Sequence, residues 1–201
     1  MTTLTFPTLT RNPGAFEFGL VSNTMRFESP LSGTLQTVEM PGARWRFSFS
    51  MENLEEADAA LLQGFLAQLR GQAGRFYMHN LARPTPRGIA TGTPLIKGAS
   101  QTGTTVITDG WTISQTGILK VGDFFKIGDE LKIVVNADVN SDGAGEATIT
   151  FEPPIRSSPA DNSAVVISSP TGIFKLTSDD NTWQTRAPVW TTFNLEGVEV
   201  L

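Results

Sequence analysis

One histidine, no cysteine and twenty carboxylates set the limits on what this chain of 201 residues can do chemically. Without cysteine there is no thiolate nucleophile, and with a single histidine no zinc site built on two or more His or Cys ligands. His79 is the one imidazole base, but there is no G-x-S-x-G, and His79 stands at the end of an expected strand, where a packed or surface histidine accounts for it. Paired carboxylates could hydrolyse a glycosidic bond only if the fold brought two of them together. Most acids, including Asp109, Asp123, Asp129, Asp142, Asp161, Asp179 and Asp180, sit in turn contexts that explain them without catalysis.

The segment Asp138 to Gly143 reads D-V-N-S-D-G, which matches the first half of a calcium-binding loop. The second half fails: the twelfth position, where a bidentate Glu belongs, is Ile149, and the following residues alternate as a strand. A β-hairpin connection between Leu131–Asn136 and Glu146–Phe151 accounts for the same residues and is preferred. No G-x-x-x-x-G-K-[ST] cradles a phosphate. Trp111 and Trp183 could stack on sugar rings, but aromatic side chains serve cores and interfaces more often. No residue is therefore assigned a catalytic, cofactor-binding or metal role, no cofactor is expected, and the chain reads as a non-enzyme.

The elements that must position these residues are mostly strands. From Arg44 to Met51, Trp45, Phe47, Phe49 and Met51 alternate with Arg44, Arg46, Ser48 and Ser50, which buries one face of a pleated strand. Phe16, Phe18 and Leu20 repeat the pattern, and short runs at Met25–Glu28 and Leu35–Met40 suggest a meander with Ser-Pro and Pro-Gly turns. One helix is predicted, over about 54–70. Asn53 is the expected N-cap, with Glu56 completing a capping box, and Gly71 is the expected stop. Leu54, Leu61, Leu62, Phe65, Leu66 and Leu69 form its apolar face, to be laid on the aromatic face of the preceding strand, and Gly64 suggests a close backbone approach.

Beyond a strand at Arg75–His79 and the proline-broken LARPTPRG, the chain turns rich in Thr, Ser, Gly and Asp. Short strands are predicted at Thr104–Thr108, Asp123–Ile127, Leu131–Asn136, Glu146–Phe151 and Ala164–Ser168, a spacing that suggests a small barrel. Aromatic-rich strands return at Gly172–Thr177 and Val189–Val200. The expected architecture is mainly β with one packed α-helix: a sandwich from residues 1–88 and 171–201, with an OB-like β-barrel, 89–170, inserted into it.

Charge divides along the same lines. Residues 1–87 carry eight Arg, no Lys and seven acids; the remainder carries seven basic and thirteen acidic residues. The acidic second stretch argues against a surface that tracks nucleic-acid phosphates. Arg-only usage suits pairing with carboxylates between subunits, and a GC-rich coding sequence explains it equally. The absence of cysteine fits folding in a reducing cytoplasm, and no apolar run is long enough for a membrane span, so a soluble protein without a membrane anchor is expected.

The order of an aromatic strand WRFSFSM, a helix ADAALLQGFLAQLRG and a strand GRFYMHN resembles the N-terminal domain of distal tail proteins of long-tailed bacteriophages, which is related to the tail-tube fold. The stretches GWTISQTGILKVGDFFKIGDELKIVV and DVNSDGAGEATITFEPPIR are similar to segments of phage tail and baseplate proteins. The resemblance implies a virion structural protein made in the host bacterial cytoplasm and placed at the tail tip. It would form a ring, expected to be a homo-hexamer, joining the tail-tube protein to the baseplate hub and tail-fibre proteins, with DNA passing its lumen without specific binding. Distal tail proteins often carry a larger C-terminal galectin-like domain, whereas the extra domain here reads as inserted. Two other readings stay open: a tail-tube or tail-terminator protein, and a carbohydrate-binding module of a tail or adhesion apparatus.

Overall fold

The computed structural model describes residues 3–187 and 190–200. In chain order the first strands are β1 (Leu4–Thr5), β2 (Ala15–Val21), β3 (Thr24–Glu28), β4 (Leu35–Glu39) and β5 (Arg44–Leu54). Helix α1 (Glu56–Leu69) and a short 3-10 turn (Gly71–Ala73) lead to β6 (Phe76–His79), β7 (Gly92–Ile96), β8 (Gly103–Trp111), β9 (Phe124–Ile127) and β10 (Glu130–Val134). The rest is β11 (Ala147–Ile155), β12 (Val165–Val166), β13 (Thr171–Leu176), β14 (Trp183–Arg186) and β15 (Trp190–Glu199). The protein is mostly β with a single packed helix and a small barrel, as the alternation predicts. Residue Val189, the expected start of the last strand, lies outside the described residues. No helix among the described residues is long and apolar enough to cross a membrane.

Two compact units divide the chain: Met1–Asn12 with Arg75–Phe174, and Pro13–Gly74 with Lys175–Leu201. In the second, β5 lies between β2 and β15, both antiparallel to it. The register places Phe16 opposite Phe49, Phe18 opposite Phe47 and Leu20 opposite Trp45, so the period-two patterns of β2 and β5 stack on one face. Phe193 and Leu195 of β15 extend that face opposite Met51 and Phe49. Its rings lie 5.1 Å apart for Phe18 and Trp45 and 5.6 Å for Phe47 and Phe49. Gly197 sits opposite Phe47 because a Cβ there would meet the ring at 2.2 Å. The other face carries Glu17, Arg46, Ser48, Ser50, Asn194 and Glu196, and an Arg46–Glu196 ion pair of 3.1 Å crosses it.

Ala59, Leu62, Phe65, Leu66 and Leu69 of α1 are buried, and the helix backbone approaches β15. The expected start is wrong. β5 continues to Leu54, whose side chain is buried as a strand residue, and Asn53 takes a left-handed φ of 55° instead of capping. Glu55 is the N-cap, with no side-chain capping bond. Leu61, expected on the apolar face, is 53% exposed. Gly64 faces open space, so no close approach explains it. Gly71 does end the helix: Arg70 and Gly71 are both left-handed, and a Cβ on Gly71 would meet the Asp179 carboxylate that accepts the Gln72 N–H at 2.8 Å.

The first unit contains a six-stranded antiparallel sheet in the order β12-β9-β10-β11-β8-β7. It curls almost shut, because Ile96 N–H donates to Ser163 O, Asn162 N–H donates to Ile96 O, and Leu95 bridges Ala164. Ile96, Val106, Trp111, Phe125, Ile127, Val134, Ile149, Phe151 and Val165 fill its interior. Beside it, β6 pairs in parallel with β1 and antiparallel with β13.

Candidate assembly surface

The loop that resembles a calcium site uses its oxygens on backbone N–H groups, its own and those of a neighbouring loop. Asp138 Oδ1 accepts the Val121 N–H at 2.9 Å, Asn140 Oδ1 the Gly117 N–H at 2.7 Å, and Asp142 Oδ1 the N–H groups of Ala144 and Glu146, both at 2.8 Å. Buried Ser141 accepts the Gln115 N–H and donates to Thr112 O. The alternating side chains thus stitch residues 138–146 to the loop 112–121 rather than converging on a cation. β10 and β11 pair antiparallel at Ile133–Glu152 and Val134–Phe151, as the hairpin reading requires. Among the described residues no three His, Cys, Asp or Glu side chains gather as metal ligands. The bonds from Glu146 and Ala144 hold the Asp142 carboxyl below its usual value.

His79 closes β6 opposite Thr171, and burial lowers its pKa. Of the acids assigned to turns, Asp123 does more. Its buried carboxylate accepts the N–H groups of Arg87 at 2.8 Å, Gly88 at 3.0 Å and Lys120 at 2.8 Å, and lies 3.7 Å from Arg87 Nε. It pins the proline-broken segment before β7 to the barrel. Inside the barrel end, fully buried Lys132 donates to Glu130 at 2.6 Å and to Pro154 O at 2.8 Å. Glu130 also accepts the N–H groups of Arg156 and Ser157. Burial pushes the Glu130 carboxyl up, but the Lys132 ammonium and these two N–H groups outweigh it and leave it below its usual value. Both carboxylate clusters hold loops in place.

Trp111 is a core residue of the barrel whose Nε1–H donates to Thr108 Oγ1 at 2.8 Å. Among the described residues, the aromatic side chains that stand well exposed are Phe27, Trp183 and Trp190, all in the second unit. The barrel therefore offers no exposed ring platform among its described residues, which removes the feature that motivated sugar stacking there.

What the second unit does expose is sheet. Among the described residues β2 pairs only with β5, so its outer edge is open. Among the same residues β14 pairs only with β15, which leaves a second, short edge carrying Trp183 and Arg186. The polar face of β2, β5 and β15 forms a shallow concavity of about 540 Å³ lined by Glu17, Ser48, Ser50, Asn181, Asn194 and Glu196. Between β2 and β5 the chain makes the hairpin β3–β4, both strands of which are exposed at every residue. Sequence reasoning found these two strands but not that they stand uncovered, since the alternation looks the same in either case. Compared with protein-family models and with curated proteins, the chain matches none.

Proposed function

We propose that this chain is a structural component of a long-tailed bacteriophage tail tip, forming a ring of identical copies that joins the tail tube to the baseplate hub and fibres. The observation that carries the reading is the open edge of β2 running into an exposed hairpin that bears Met25, Phe27, Leu35 and Val38. Unpaired strand edges recruit other chains, and natural proteins blunt them with charge, proline or short length unless pairing is wanted. β2 has seven residues, one charged side chain and no proline. The polar clusters are spent on holding loops, which suits a protein whose work is done by surface. The order aromatic strand, helix, strand that resembles distal tail proteins supplies the setting. Mass spectrometry of tails purified from phage that encode this chain tests it. The protein is expected in tail-tip fractions at ring stoichiometry, and its absence from intact particles would refute the assignment.

A further inference from the structure

We draw no further inference here: the strongest candidate, the shallow concavity on the polar face of β2, β5 and β15 between Glu17, Ser48, Asn194 and Glu196, is the water-facing side of a half-buried sheet, and nothing in the structure shows what covers it.

Discussion

Replacing Asp123 by alanine removes the acceptor for three backbone N–H groups, those of Arg87, Gly88 and Lys120, at 2.8–3.0 Å. The carboxylate side chain is 3% exposed, so water cannot take its place without opening the segment. A hydrogen bond to a charged group is worth about 1.5–3 kcal/mol net, and a buried donor left unpaired costs about 1–3 kcal/mol. Partial relaxation of the segment reduces the sum, giving an expected loss of about 3–5 kcal/mol, or roughly 10 °C in melting temperature for a chain of this size. Asp123→Asn fares little better, because its amide turns N–H groups toward one pair of donors. The assay is thermal melting combined with hydrogen exchange: the amides of Arg87, Gly88 and Lys120 should lose protection while those of β5 and β15 keep theirs. A melting temperature within 1 °C of wild type and unchanged protection at the three amides would refute the reasoning.

Gly197→Ala forces a methyl group into the Phe47 ring and should destabilise the second unit by about 1–3 kcal/mol, seen as a lower urea midpoint. The Glu130 carboxyl, depressed on folding, contributes stability that is present above the ordinary carboxyl pKa of 4.5 and is lost as pH falls through its lower folded value. The melting temperature should therefore drop on acidification below about pH 4.5, with a smaller drop in Glu130→Gln, which is itself less stable at neutral pH because Lys132 loses its counter-charge. Because the Asp138–Asp142 oxygens are occupied by backbone N–H groups, millimolar calcium should leave the melting temperature unchanged; a rise of several degrees would contradict this assignment.

Long periodic segments were legible in the sequence because their pattern is set by one buried face. β5 shows period two over Trp45 to Met51 and is found as a strand, and α1 shows its 3.6-residue row. β1, β7 and β14 escaped notice: they are two to five residues long, and their runs LT, GTPLI and WQTR owe their strand form to the partners beside them. Asn53 has the residue type of a cap, but burial of Leu54 carries β5 past it. The Asp138–Gly143 spacing shows where oxygens recur along the chain, not which way they point. Asp123 looked like any turn aspartate because two of its donors come from residues 35 and 36 positions away. For the hairpin β3–β4, local pattern carries no information on whether an apolar face is covered or left exposed.

The central claim is that this protein works by assembling with itself, and native mass spectrometry of the purified chain tests it most directly. The account predicts one dominant closed species at a fixed multiple of 21.7 kDa, six in the expected hexamer, that persists on dilution. A single 21.7 kDa species at every concentration up to the range of the particle would contradict it.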